Sequence, residues 1–131
     1  MNEGAEEYVR VAEFRSSLRR FLRRAEKVAR SAGLTPQRYL LLLMVKGAPD
    51  GSEQSTVTEL AERLQLAQST VTELVSRAAE AGLLRREPSG VDGRVAHVRL
   101  TDEGERRLAE AFVGLESERD ELRHAIAQLI A

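Results

Sequence analysis

Residues 68 to 77 read Gln-Ser-Thr-Val-Thr-Glu-Leu-Val-Ser-Arg. Val71, Leu74, Val75 and Ala78 recur at the spacing of one helix face, which turns Ser69, Thr72, Glu73 and Ser76 to the other side, flanked by Gln68, Thr70 and Arg77. Hydroxyls, an amide and a guanidinium so arranged can approach base edges and phosphate oxygens closely, the chemistry of nucleic-acid contact. Glu73 stands apart: it could accept from a cytosine amino group, and it could equally repel phosphate. A second group follows in the turn-rich stretch Pro88-Ser89-Gly90-Val91-Asp92-Gly93-Arg94. A guanidinium at a hairpin tip, Arg94, can enter a narrow minor groove, and Asp92 can accept from it and fix its direction. Arg86, just ahead of that stretch, joins them as a basic candidate contact.

Other chemistries find little here. With no Cys, disulfides and thiolate metal sites are excluded. His97 and His124 lie far apart without ligand-like spacing, so neither a metal nor a cofactor is expected. No nucleophile–base pair or glycine-rich phosphate loop is visible, and an enzyme is not expected. The longest apolar run, Tyr39 to Val45, is far too short to span a bilayer. Nothing at the N-terminus reads as a signal peptide, so no membrane partner and a cytoplasmic location are expected.

The elements that must hold the polar face can be read on either side of it. The chain has 131 residues, the size of one domain. It is 42% apolar but only 4% aromatic, so Leu, Val and Ala must build the core, which suits packed helices. Phe14, Leu18, Phe21, Leu22, Ala25, Val28 and Ala32 mark a first helix from about Glu6 to Ala32, ended by Gly33. Thr35 caps a second, from Gln37 to about Lys46, with Pro36 at its first turn. That helix is apolar nearly all round and should be buried. Gly47 to Ser55 reads as a polar loop. Thr56 and Glu59 form a capping box at the start of a third helix, striped by Val57, Leu60, Ala61 and Leu64. The turn Gln65 to Ala67 leads to the polar-faced helix, closed by Gly82. Because Ala67 cannot cap, that helix either starts at Thr70, with Glu73 completing a box, or is weakly capped. Two strands are expected at Leu83 to Glu87 and Val95 to Leu100. Thr101 caps a final helical region striped by Leu108, Phe112, Leu115, Leu122, Ile126, Leu129 and Ile130.

Two short helices sharing a buried face across a tight turn form a helix-turn-helix, and the hairpin after them adds a wing. The fold class expected is mainly α with a small β-hairpin wing. The net charge of −1 gives no global attraction to a polyanion, yet it conceals clusters. Arg15, Arg19, Arg20, Arg23, Arg24, Lys27 and Arg30 crowd the first helix, and Arg77, Arg85, Arg86, Arg94 and Arg99 crowd the middle. The arginines of the first helix read as a solvated face. The terminal stripes hold more apolar positions than one small lobe can bury, which favours a homodimer.

From Thr56 to Leu108 the chain resembles the MarR family of bacterial transcriptional regulators. Thr58-Glu59-Leu60-Ala61-Glu62-Arg63-Leu64 is similar to the family's first helix-turn-helix segment, and residues 68–77 to its recognition helix. Ala81-Gly82-Leu83-Leu84-Arg85-Arg86 resembles the lead into the wing. Asp92-Gly93-Arg94 and Val98-Arg99-Leu100-Thr101-Asp102-Glu103-Gly104 resemble the wing signature and the start of the next helix. Gly33-Leu34-Thr35-Pro36-Gln37 matches the lead into the second helix. The resemblance implies a winged helix-turn-helix lobe (35–104) carried by N- and C-terminal dimerisation helices (1–34 and 105–131). It implies a homodimer on a pseudo-palindromic operator in double-stranded DNA, acting as a repressor. The recognition helix would enter the major groove and Arg94, held by Asp92, the minor groove. A small aromatic or anionic effector would release the protein. The chain departs from the family at Gly93, where a basic residue is usual, at Ala67, and in a short C-terminal region.

Overall fold

The computed structural model describes residues 2–88 and 95–131. Among the described residues six helices and three short strands follow one another: α1 (Glu3–Ser31), α2 (Pro36–Lys46), β1 (Gln54–Ser55), α3 (Val57–Leu64), α4 (Gln68–Glu80), β2 (Leu84–Pro88), β3 (Ala96–Leu100), α5 (Asp102–Gly114) and α6 (Glu116–Leu129).

The caps fall where the sequence puts them. Thr35, Thr56 and Thr101 each accept from a backbone N–H of the first turn, and Glu59 closes the capping box with Thr56. Gly33 and Gly82 follow α1 and α4 at φ 77° and 78°, a left-handed backbone that a side chain disfavours.

Four expectations need correction. The loop after α2 is not wholly irregular: Gln54 and Ser55 pair antiparallel with Arg99 and Val98, so the hairpin becomes a three-stranded sheet ordered β1-β3-β2. A two-residue strand has no periodicity to read and exists only through its partner. The final helical region breaks at Leu115, a fully buried residue, into α5 and α6. The first helix begins earlier than expected, because the Asn2 side chain accepts from Ala5 N–H and starts it at Glu3. Finally, α2 is buried on one face only: Leu41, Leu42 and Val45 are fully enclosed, whereas Leu40 is exposed.

A single core unites the lobe. Leu41, Leu42 and Val45 of α2 meet Leu60 of α3, Val71, Val75 and Ala78 of α4, and Leu84, Val98 and Leu100 of the sheet. Ala29 of α1, Leu34 and Leu108 of α5 join the same cluster, tying the long helices to the lobe. Ion pairs and a hydrogen bond reinforce the seam: Lys46 reaches Glu53 at 3.1 Å and Glu105 at 3.0 Å, and Arg107 donates to the Gly33 carbonyl at 3.1 Å. None of the described helices is long and apolar enough to cross a membrane.

Candidate nucleic-acid interface

The α3–α4 hairpin begins with a tight turn. Gln65 adopts a left-handed conformation, φ 57° and ψ 45°, and its side-chain amide donates to the Glu62 carbonyl at 2.6 Å. The Leu66 N–H returns to the Ala61 carbonyl at 3.1 Å, closing the end of α3 before the chain reverses. Arg63 then fixes α3 against α2, donating to the carbonyls of Met44 at 2.7 Å and Gly47 at 3.2 Å. These carbonyls belong to the last turn of α2 and to its C-cap, where a cation also meets the negative end of the helix. Sequence reading missed both devices. The signal for Arg63 was its place in the polar face of α3; a Gln in a left-handed turn leaves no signal, since Asn and Gly are the usual occupants.

Helix α4 starts at Gln68, with Ala67 as an N-cap that makes no side-chain bond. Of the two starts open to the sequence, the weakly capped one is therefore adopted, and Glu73 is left free of capping. The inner face of α4 is packed by Val71, Val75 and Ala78, all fully buried. That burial turns Gln68, Ser69, Thr70, Thr72, Glu73 and Arg77 outward as one exposed polar surface, with Ser76 half-buried at its edge.

Several of these groups bond to one another. Arg77 donates to Glu73 Oε1 at 2.6 Å, one helical turn away. Gln68 Nε2 donates to Thr58 Oγ1 of α3 at 3.2 Å, bringing the start of α3 beside the start of α4. Arg86 of β2 sits opposite Val98 in the ladder and donates to Ser76 Oγ at 2.7 Å. The sheet thereby presents a guanidinium directly against α4. On the other sheet face Arg85 lies opposite Arg99. Like charges so placed repel, and each finds its own acceptor: Glu87 Oε1 at 2.8 Å for Arg85, the Gln54 amide oxygen at 3.2 Å for Arg99. Asp92 and Arg94 lie outside the described residues.

Of the sequence candidates, then, Gln68, Ser69, Thr70, Thr72, Glu73, Ser76, Arg77 and Arg86 come together on and beside α4. Chemically the surface offers hydroxyl, amide and guanidinium donors on a convex rod, with one carboxylate among them. Among the described residues no three His, Cys, Asp or Glu side chains group as metal ligands.

Comparison with known proteins agrees with this geometry. Residues 32–95 match the model of the MarR family. The chain is 34% identical over 82 residues to the HTH-type transcriptional repressor MdtR of Bacillus subtilis (strain 168), across 63% of this chain and 50% of that protein. It thus spans about half the length of the curated relative it matches. The fold of YusO from Bacillus subtilis superposes with a TM-score of 0.67 at 22% identity, over 92% of this chain and 82% of the other. A mutant MarR from E. coli, complexed with operator DNA, superposes with a TM-score of 0.68 at 19% identity, over 82% and 75% of the two chains. At such identities the structures share the fold. The fold likeness runs through the terminal helices, and the family match covers residues 32–95, from the end of α1 to the edge of β3: over that stretch the chain is similar to the MarR family.

Proposed function

We propose that the protein is a sequence-specific double-stranded DNA-binding repressor, acting as a homodimer on a pseudo-palindromic operator. The observation that carries this reading is the outward face of α4. It is polar throughout, rigidly backed by Val71, Val75 and Ala78, and flanked by Arg86 from the sheet. A helix so supported is a rod whose side chains can read a major groove. Residues 35–104 would form the DNA-binding lobe, and residues 1–34 and 105–131 the dimerisation helices. The operator complex of a structural neighbour and the repressor named among its relatives support the same assignment. Binding rather than catalysis is the role, and it puts the protein in the cytoplasm, where its DNA lies.

The dimer draws support from apolar residues left uncovered in the single chain. Tyr8 and Ile130 are each 80% exposed and Val113 67%, and all lie on or beside the terminal helices. A groove of about 1250 Å³ between α1 and α6 adds Val9, Phe14, Phe21 and Ala125 to the residues open to a partner, among charged neighbours such as Arg20 and Glu121. Large uncovered apolar surface marks an interface. A small aromatic or anionic effector, which the family resemblance implies, would meet a cation and an aromatic face where α2, α5 and α6 carry Tyr39, Phe112 and Arg119. There the Arg119 guanidinium lies 3.7 Å over the Phe112 ring, and its charge opposes the upward pull of burial on the Tyr39 hydroxyl.

A duplex titration at several salt concentrations tests the reading. Affinity should fall steeply with salt, by a log–log slope of about 0.9 for each phosphate contacted. Binding that ignores salt, or no binding at all, would leave the fold as a protein-interaction module.

A further inference from the structure

We propose that Glu73 is a specificity gate, which holds Arg77 away from phosphate until the duplex offers a cytosine to the released carboxylate. The inference rests on the DNA-binding reading above. Glu73 is the only acid in the first ten residues of α4. Its side chain is 63% exposed and that of Arg77 65%, so the core requires neither position to be charged. Yet they meet at 2.6 Å, while the neighbouring cation, Arg86, is occupied by the neutral Ser76 hydroxyl at 2.7 Å. The two guanidiniums beside α4 therefore differ in kind. Among the described residues the partner of Arg86 is a hydroxyl, to which it can add a phosphate without stranding a charge. Arg77 cannot turn to a phosphate without leaving a bare carboxylate facing a polyanion.

The major groove decides what can satisfy that carboxylate. Guanine and thymine present acceptors there, whereas cytosine presents the N4 amino donor; adenine places an acceptor beside its amino group, which suits an amide better. A cytosine under Glu73 accepts the handover, and Arg77 gains its phosphate. At any other base the Glu73–Arg77 pair stays closed and the phosphate contact is lost. One acidic residue thus converts a sequence-blind contact into a conditional one.

The test is a titration of the wild type, Glu73→Gln, Arg77→Ala and the double variant on a selected operator and on a scrambled duplex, over a range of salt. Thermal melts establish that each variant is folded. Glu73→Gln should tighten the scrambled duplex about tenfold and steepen its salt slope by about 0.9 for each chain bound. The operator should gain nothing, so the specificity ratio falls about tenfold, within the range of a single base-pair discrimination. In the Arg77→Ala background the change of slope should vanish. Equal tightening on both duplexes, with the ratio kept, would mean plain repulsion and would overturn the gate, as would no change on either. A wild type that binds no duplex would instead overturn the DNA-binding reading, and the gate with it.

Discussion

Gly104, in the first turn of α5, lies so close to Leu83 that a Cβ built on it would stand 2.2 Å from the Leu83 carbonyl oxygen. The approach is held by Thr101, whose N–H donates to that same oxygen at 3.1 Å and whose hydroxyl donates to the Gly82 carbonyl at 2.6 Å. Helix α5 is thereby seated on the turn that ends α4. Gly104→Ala puts a methyl against backbone, which cannot rotate away, so the helix must shift. The expected cost is about 1–3 kcal/mol, the scale of overpacking, read from urea or thermal unfolding. An unchanged melt would mean that the contact is looser than described.

The same helix start should shape the acid limb of stability. The guanidiniums of Arg106 and then Arg107 hold the Glu103 carboxyl down, from 4.5 to about 2. A carboxyl lowered on folding stabilises above its unfolded value, and the contribution disappears as pH falls from about 4.5 towards 2. Glu103→Gln should therefore lose less Tm than the wild type across that window, and the exposure of the group keeps the difference small. Lys46 works in the opposite sense. Its hydrogen bonds to Glu105 and Glu53 raise it above 10.5, so its contribution is complete below that pH and fades as pH rises beyond. Lys46→Met should remove the corresponding part of the alkaline loss.

Sequence preference should reside on α4. Gln68→Ala removes the bond to Thr58 along with an amide, and Ser76→Ala removes the acceptor of Arg86. Each is expected to change preference by roughly 1–3 kcal/mol at one or two positions per half-site. Arg77→Ala should instead lower the affinity of the selected operator and its salt slope together. Variants that bind normally with the wild-type preference would move recognition off this helix.

For the wing, Arg94→Ala should leave Tm nearly unchanged while weakening operator binding at least about tenfold, with a shallower salt slope. Under the pairing that the family resemblance implies, Asp92→Ala should be milder, since it would remove orientation and leave the arginine charge. A binding curve for Arg94→Ala that overlays the wild type at matched salt would exclude a wing contact.

Local chemistry made much of this legible. Gly33, Gly82, Thr35, Thr56 and Thr101 punctuate the helices because each answers a strictly local demand, a positive φ or an unpaired N–H. The α4 stripe was legible because Val71, Val75 and Ala78 carry the helical period. Part of what escaped depends on distant partners. Strand β1 is two residues whose ladder is supplied by Arg99 and Val98, more than forty positions on. The break at the buried Leu115 comes directly after Gly114, a residue of low helix propensity whose signal the apolar stripe obscured. On and beside α4 the grouping of the candidate residues was legible but their pairings were not. That Arg86 would reach Ser76, and that Glu73 would hold Arg77 rather than cap α4, needed the sheet register and the true start of the helix.

DNA recognition through α4 is tested most directly by selecting bound sequences from random duplex DNA with the purified protein, followed by sedimentation of the selected complex. The expected result is an enriched pseudo-palindrome with half-sites one helical turn, about 34 Å, apart and two chains on each duplex. No enriched sequence, or a single chain bound to an asymmetric site, would contradict it.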